Sequence, residues 1–368
     1  MIKTAGKFLG LDHLRALAIT LVFLFHYLLF RHPAWMNELF RFGWCGVDLF
    51  FVLSGFLISN QLFAEWQASG KISLRIFYLK RAFRILPPYL FILLIYILFP
   101  AFHERERLAP LWKMFTFTQN LGQDLSIYGT FSHAWSLCVE EQFYLTLPLL
   151  LILIFYNRMK RKTGWLIPLF FFLTLFLRWI IWHFYLYPIR EDPDFWISWY
   201  KHIYYPTYTR LDGLIAGVGI AATYRFKEAW LVSLKHYKNW FLLAGVVLFI
   251  LCYFFCSDEL AARSTIFGFS LIAIAFGCFV FSAILPGSIL FQFKSSITRN
   301  LATISYSLYL SHKGLIHLTQ LYGNKLGIAP DSNLMLLICI VVCLTGAFTM
   351  RVFIEKPFFR LRNAFIQP

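Results

Sequence analysis

The sequence predicts an all-α integral membrane protein with about ten transmembrane helices and both termini in the cytoplasm. Hydrophobic residues make up 59% of its 368 residues and charged residues only 14%, and the mean hydropathy is +0.64. A soluble domain of this size would need a larger charged surface. Crossing a hydrocarbon core of about 30 Å takes about 20 apolar residues. Runs of this kind lie near 14–31, 44–64, 86–102, 141–157, 165–187, 206–224, 239–257, 264–286, 300–320 and 333–354.

One membrane domain is expected over residues 1–368, because no polar linker, low-complexity tract or fixed-period repeat divides the chain. The first residues, MIKTAGKFLG, lack the cleavage pattern of a signal peptide, so we expect the first apolar run to stay in the membrane. The net charge of +16 does not indicate nucleic-acid binding, since the Lys and Arg residues cluster between apolar runs. The seven cysteines have no zinc or iron–sulfur spacing, and no metal is expected.

The distribution of Lys and Arg between the runs predicts the orientation. With the N-terminus inside, the outer segments hold 9 of these residues, whereas the inner segments hold 20, at 3–7, 71–84, 158–162, 225–238, 294–299 and 356–362. This excess follows the positive-inside rule and favours a cytoplasmic location for both termini. The longest outer segment, about 103–140, ends in polar residues that a lipid-facing helix would not carry.

The first run contains two ionisable residues, and such residues are costly inside a bilayer unless they are paired or hydrated. Arg15 and His26 are eleven residues apart. At about 100° per residue they share one helix face and are separated by roughly 16 Å along the axis. Arg15 would lie near the cytoplasmic boundary and His26 in the outer half of the membrane. A snorkelling arginine and a hydrogen-bonded core histidine are the structural alternatives.

The second run begins with GVDLFFVLSGFLIS, in which Asp48 lies one turn inside the outer boundary. At this depth Asp48 could approach His26. A carboxylate beside an imidazole raises its basicity and selects its tautomer, as a general base requires. The competing interpretation is that Asp48 caps the start of the helix. Gly46 and Gly55 in the same run favour close helix packing.

Arginines cluster in the cytoplasmic segment FYLKRAFRILPPY. Arg81 and Arg84 are three residues apart and share a helix face. Their paired guanidinium donors could hold phosphate oxygens, although anchoring at the membrane surface is the alternative. At the other end of the chain, Glu355 in FIEKPF is expected to pair with a cytoplasmic arginine.

The long outer segment ends in FSHAWSLCVEEQFYLTLP. Glu140 and Glu141 are adjacent carboxylates entering an apolar run, so at least one should point into a polar cavity. Other candidate residues lie toward the same outer side, namely His133, Trp135, Ser136, Arg210, Asp212 and His312.

Seven collinear segments resemble the acyltransferase 3 family of membrane acyltransferases. They extend from residue 11 to residue 357 and read LDHLRALAITLVFLFH, GVDLFFVLSGFLIS, FYLKRAFRILPPY, HAWSLCVEEQFY, RLDGLIAG, SYSLYLSH and EKP. The resemblance implies a ten-span enzyme that moves an acyl group, usually acetyl from acetyl-CoA, onto carbohydrates such as O-antigen, exopolysaccharide or peptidoglycan. The alternative is a multi-span secondary transporter of a small polar or anionic solute. No inverted repeat or matched pair of broken helices in the sequence supports a transporter.

The motifs define a candidate site in three parts. The expected catalytic residues are His26, Asp48, Glu140 and Glu141. The residues expected to bind acyl-CoA are Arg15, Arg81 and Arg84. The residues expected to bind the acceptor are His133, Trp135, Ser136, Arg210 and His312. Many family members carry an SGNH-type hydrolase-like domain after the last span, whereas eleven residues follow EKP here, so we expect a stand-alone membrane domain.

We expect acetyl-CoA to bind from the cytoplasm and a carbohydrate or glycolipid acceptor to enter from outside. The resemblance implies the bacterial cytoplasmic membrane as the location, with membrane lipid as a partner and no nucleic acid. His26 would act either as a general base or as a residue that is itself acylated. The sequence leaves this choice open, together with the acceptor, the acyl chain length and the oligomeric state.

Overall fold

A computed structural model describes residues 8–156 and 163–366 of the chain. Within these residues the protein is almost entirely helical and has no strand beyond a single isolated bridge between Leu108 and Thr130. The predicted all-α membrane fold is therefore confirmed. Several residues used to predict the orientation lie outside the described residues, namely Lys3, Lys7, Arg158, Lys160, Arg161 and Lys162.

Eleven helices of more than ten residues form the framework of the described part. They are α1 (Leu9–Tyr27), α2 (Gly46–Ser69), α3 (Leu74–Leu98), α4 (Trp135–Tyr156), α5 (Leu166–Ile181), α6 (Asp212–Phe226), α7 (Lys238–Phe255), α8 (Phe269–Ile284), α9 (Ser296–Lys325), α10 (Asn333–Met350) and α11 (Lys356–Ile366). Short helices connect them at Met36–Phe40, Leu111–Phe115, Phe195–Trp199, Glu228–Leu234 and Ile289–Gln292. Wider π-helical turns occur at Trp182–Leu186, Tyr200–Tyr204, Ser264–Gly268 and Arg351–Glu355.

Eight stretches of the described chain are long and apolar enough to cross a membrane. Helices α6 and α9 are not among them, although both match predicted spans. The 15 residues of α6 extend only about 22 Å, which is less than the hydrocarbon core. The 30 residues of α9 extend about 45 Å but carry many polar side chains. The count of ten spans therefore stays a prediction.

Helices α2 and α6 pack in close contact because each presents a glycine to the other. A Cβ atom on Gly55 would collide with the backbone of Leu214, and one on Gly217 would collide with the backbone of Val52. Small residues of this kind let helix backbones approach within a membrane. This packing confirms the expected role of Gly55 and places the start of α6 against the start of α2.

Buried ion pairs join the helices around this contact. Asp48 of α2 pairs with Arg210 at 2.7 Å, and Asp212 of α6 pairs with Arg178 of α5 at 2.5 Å. Charges that leave water are tolerated when they are paired and hydrogen-bonded. A further pair confirms that Glu355 binds an arginine, because it lies 2.8 Å from Arg351, and the cytoplasmic location of that arginine stays a prediction.

Candidate active site

Two histidines from different helices meet in the interior. Nδ1 of His26, near the end of α1, lies 2.7 Å from Nε2 of His312, in the middle of α9. Helices α1 and α9 pack along each other, and the two imidazole rings are stacked with centroids 4.9 Å apart. His312 is fully buried, whereas His26 is only half-buried. Part of the surface of His26 is thus accessible.

A third histidine adjoins this pair. The ring centroid of His133 lies 5.8 Å from that of His26 and 5.1 Å from that of His312. Nε2 of His133 faces the carbonyl oxygen of Leu310 at 3.4 Å. Its Nδ1 is buried and has no hydrogen-bond partner among the described residues. Because buried polar atoms are nearly always hydrogen-bonded, this nitrogen is a candidate contact for a substrate hydroxyl.

The segment between α3 and α4 includes His133 and is tied to α9 beside the histidine pair. Glu104, from this segment, forms an ion pair at 3.1 Å with Lys313 of α9, and the two side chains are 1% and 5% exposed. The same carboxylate accepts a hydrogen bond of 3.0 Å from the backbone N–H of Phe131, a residue in the left-handed region with φ of 55°. Phe131 packs against His133 with ring centroids 5.1 Å apart. The Glu104–Lys313 pair therefore joins this segment to α9 beside His133.

Three arginines line one cavity. A cavity of about 290 Å³ lies between α1, α2, α3, α4 and α9, at the low end of the usual size of small-molecule sites. Its wall carries the guanidinium groups of Arg15, Arg81 and Arg84. Arg84 is exposed and the other two are half-buried. These three arginines exceed the two carboxylates on the same wall, Glu140 and Glu141, and the resulting positive charge favours a negatively charged ligand.

The arginines are partly held by neighbouring side chains. The guanidinium of Arg81 lies over the ring of Tyr144 at 5.3 Å, an arrangement of the cation–π type. Arg15 lies 3.8 Å from Asp12, at the outer limit of an ion pair. These contacts orient the side chains and leave donor groups facing the cavity.

The two adjacent glutamates on the cavity wall have different environments. Glu140 accepts hydrogen bonds from Ser54 at 3.0 Å and from Tyr144 at 2.8 Å. Glu141 also lines the cavity but takes part in no hydrogen bond or ion pair within the described part of the chain. The expectation that at least one of them faces a polar cavity is confirmed. The geometry leaves Glu141 available for a ligand and gives Glu140 a positioning role for Tyr144.

Tyr309 connects the cavity to the histidines. Its hydroxyl donates a hydrogen bond of 2.5 Å to the backbone oxygen of His133 and lies 2.7 Å from the hydroxyl of Ser136. Both Tyr309 and Ser136 line the cavity, and the Tyr309 ring centroid is 6.0 Å from that of His312. The arginine-lined cavity and the histidine cluster are therefore adjacent parts of one region.

Three candidate residues, Asp48, Trp135 and Arg210, lie together in a place separate from the histidine pair. Asp48 does not contact His26 as the sequence suggested, because its carboxylate binds Arg210. The Arg210 guanidinium also packs over the rings of Trp135 and Phe269, at 5.1 Å and 3.9 Å. The Arg210 side chain is completely buried, so this cluster contributes to the packing of α2 against α4, α6 and α8. The imidazole partner of His26 is His312.

Sequence reasoning did not single out Glu104, Lys313 or Tyr309. Lys313 carried a usable signal, since it is a lysine directly after His312 within a helix expected to span the membrane. Glu104 had no such signal, because it lies among several charged residues of an outer segment. No group of three or more potential metal ligands occurs in the described residues.

A family model described as an acyltransferase domain matches residues 8–352. The chain belongs to the acyltransferase 3 family. The match covers every helix from α1 to α10, including both histidines of the pair and all three cavity arginines. Membership favours an enzyme that transfers acyl groups over the transporter considered from the sequence.

Curated relatives of this acyltransferase 3 chain are named O-acetyltransferases. It is 29% identical over 329 residues to the peptidoglycan O-acetyltransferase OatA of Listeria monocytogenes, covering 84% of this chain and 49% of that protein. It is 27% identical over 333 residues to a putative O-acetyltransferase and to the O-acetyltransferase OatA of Staphylococcus aureus, covering 85% of this chain and 51% of each. The chain thus spans about half the length of the curated relatives it matches. No solved structure matches this chain.

Proposed function

We propose that this acyltransferase moves an acetyl group from acetyl-CoA to a hydroxyl of a cell-surface carbohydrate. The observation that carries the proposal is the arginine-lined cavity, which adjoins a pair of hydrogen-bonded histidines. O-acetyl transfer from acetyl-CoA requires a site that binds the anionic donor and a base that takes the proton of the acceptor hydroxyl. The O-acetyltransferase relatives support acetyl as the acyl group.

The three arginines would bind the phosphates of the donor. Guanidinium groups form paired, charge-assisted hydrogen bonds with phosphate oxygens. The exposed Arg84 would contact the nucleotide at the mouth, while Arg15 and Arg81 lie deeper. A cavity of about 290 Å³ cannot enclose a whole acyl-CoA, so the nucleotide would stay at the mouth and the acyl end would point toward Tyr309 and His312.

His26 would take the proton of the acceptor hydroxyl. In direct transfer, the hydroxyl oxygen attacks the thioester carbon while its proton passes to His26, and the thiolate of CoA leaves and recovers a proton. In the alternative, a nitrogen of His26 attacks the thioester carbon and expels the CoA thiolate. The acceptor hydroxyl then attacks the acyl carbon, the C–N bond to His26 breaks, and the hydroxyl proton passes to the released thiolate. Glu141, which lacks a protein partner in the described residues, would orient a substrate group in the cavity.

The acceptor would reach His26 from beneath the outer segment. The unpaired Nδ1 of His133 would accept a hydrogen bond from a second hydroxyl of the sugar. The relative named for peptidoglycan supports a cell-wall glycan, alongside the O-antigen and exopolysaccharide acceptors implied by the family. The corresponding location is the bacterial cytoplasmic membrane.

The first test is replacement of His26. In proteoliposomes supplied with acetyl-CoA and glycan fragments, we expect His26→Ala to lower acetyl transfer by about 10²–10⁴-fold, as loss of a general base usually does. His317→Ala, on the same helix as His312, is the matched control and should retain activity. Transfer by His26→Ala at the wild-type rate would refute both roles considered for His26.

The two-sided arrangement has a separate test. Ser126 lies exposed in the outer segment, and Ala68 lies exposed near the end of α2 on the predicted cytoplasmic side. In intact cells a membrane-impermeant thiol reagent should label Ser126→Cys, whereas Ala68→Cys should be labelled only after permeabilisation. The reverse pattern would invert the topology and contradict donor entry from the cytoplasm.

A further inference from the structure

The direction of the hydrogen bond between the two histidines determines which nitrogen of His26 can react. We propose that His312 is a positioning residue that holds the proton of His26 on Nδ1 and leaves Nε2 as the basic, nucleophilic nitrogen. This inference rests on the proposed acetyl transfer at His26. It replaces the acceptor-binding role that the sequence suggested for His312.

The backbone of α9 sets the tautomer of His312. Its Nδ1 lies 3.1 Å from the carbonyl oxygen of Leu308 and 2.8 Å from that of Tyr309. Carbonyl oxygens only accept hydrogen bonds, so Nδ1 of His312 must carry a hydrogen. In a neutral imidazole the other nitrogen is then an acceptor. Nε2 of His312 therefore presents a lone pair to His26.

The tautomer of His26 follows from that of His312. Nδ1 of His26 lies 2.7 Å from the Nε2 lone pair of His312, and two lone pairs at this distance would repel each other. Nδ1 of His26 must therefore donate its hydrogen, and Nε2 of His26 carries the lone pair. That nitrogen forms no hydrogen bond with any described residue and is not among the buried unpaired atoms, so it is open to a substrate.

The same arrangement serves both possible reactions. When Nε2 of His26 accepts the proton of the acceptor hydroxyl, the resulting cation keeps its Nδ1–H bond to His312, and this bond becomes charge-assisted. When Nε2 attacks the thioester carbon instead, the Nδ1 hydrogen is still held by His312. Histidine tautomers are commonly set by the hydrogen bond at the other nitrogen.

The position of His312 is well fixed for this role. The residue is fully buried, and its ring lies 6.1 Å from that of Phe23 and 5.1 Å from that of His133. No carboxylate among the described residues is hydrogen-bonded to either histidine, and Glu104 is already paired with Lys313, the residue after His312. A neutral imidazole is thus the group that orients His26.

The experiment compares His312→Gln with His312→Asn, whose amide side chains differ in length. In His312→Gln the amide oxygen can stand where Nε2 stood and accept the His26 hydrogen, whereas the shorter His312→Asn stops at the position of Nδ1. We expect the Asn variant to lose about 10²–10⁴-fold in kcat, as expected when a base is left in the wrong tautomer. The Gln variant should recover part of this loss, and the KM for acetyl-CoA should stay unchanged in both.

Controls separate this inference from the proposed function. Ser311→Ala removes only a bond to the Ser307 carbonyl on the same helix and should keep wild-type kcat. If both His312 variants keep wild-type kcat while His26→Ala is inactive, the positioning role is wrong and acetyl transfer at His26 stands. A kcat for His312→Asn equal to or above that for His312→Gln also overturns the positioning role of His312. A change confined to the KM for acetyl-CoA does so as well. Full activity of His26→Ala would refute the proposed function itself.

Discussion

A buried ion pair joins Glu104, between α3 and α4, to Lys313 of α9, and its removal should destabilise the protein strongly. At 3.1 Å between Lys313 Nζ and Glu104 Oε1, with an effective dielectric constant of about 20, the attraction is about 5 kcal/mol. Removing one partner leaves the other charge buried and unpaired, which typically destabilises a protein by about 3–5 kcal/mol. Glu104→Gln is the preferred change, because its amide oxygen can still accept the hydrogen bond from Phe131.

The cysteines of the protein provide the assay. All seven are free thiols, six of them buried and one half-buried, so a thiol-reactive fluorophore will report unfolding in detergent. With an unfolding entropy of about 2.1 cal/mol/K per residue over 368 residues, the shift is about 1.3 °C per kcal/mol, so the expected loss lowers the melting temperature of Glu104→Gln by about 4–7 °C. Adding Lys313→Met to Glu104→Gln removes the unpaired charge, so the double variant should recover much of the lost melting temperature.

An exposed pair supplies the control for this experiment. Arg190 and Glu191 are bonded at 3.0 Å, but their side chains are 44% and 87% exposed, so Glu191→Gln should not change the melting temperature measurably. Melting of Glu104→Gln at the wild-type temperature would refute the argument from burial. So would a double variant that melts below both single variants.

Two further predictions concern the cavity. Arg81→Ala and Arg84→Ala should weaken acetyl-CoA binding, and added salt should weaken wild-type binding as well. Unchanged, salt-insensitive affinity in both variants would assign these arginines to membrane anchoring. Glu141→Gln should lower turnover without changing the melting temperature, whereas Glu140→Gln should lower the melting temperature because it weakens the bonds from Ser54 and Tyr144. If Glu140→Gln and Glu141→Gln change turnover and melting temperature equally, the different roles assigned to the two glutamates are wrong.

The predicted membrane fold and the polar cavity were accessible from the sequence alone. Apolar runs of sufficient length can lie only in lipid or in a core, so the helices followed from hydropathy. Arg15, Arg81, Arg84 and Glu141 could be singled out because charge within or beside a membrane helix is rare without a partner or a function. The structure places these four on one cavity wall.

The sequence by itself predicted which residues lie at which depth in the membrane, and only the tertiary structure decided which of them meet. Asp48 and His26 lie at similar predicted depth, but the contact of Gly55 and Gly217 brings Asp48 to Arg210, and His26 faces α9 instead. Glu140 and Glu141 are neighbours in the chain, yet a rotation of about 100° per residue gives Glu140 the partners Ser54 and Tyr144 and leaves Glu141 without one among the described residues. Hydropathy sets position along the membrane normal, whereas helix packing sets neighbours and rotation about each helix axis, and the reactive nitrogen of His26 depends on both.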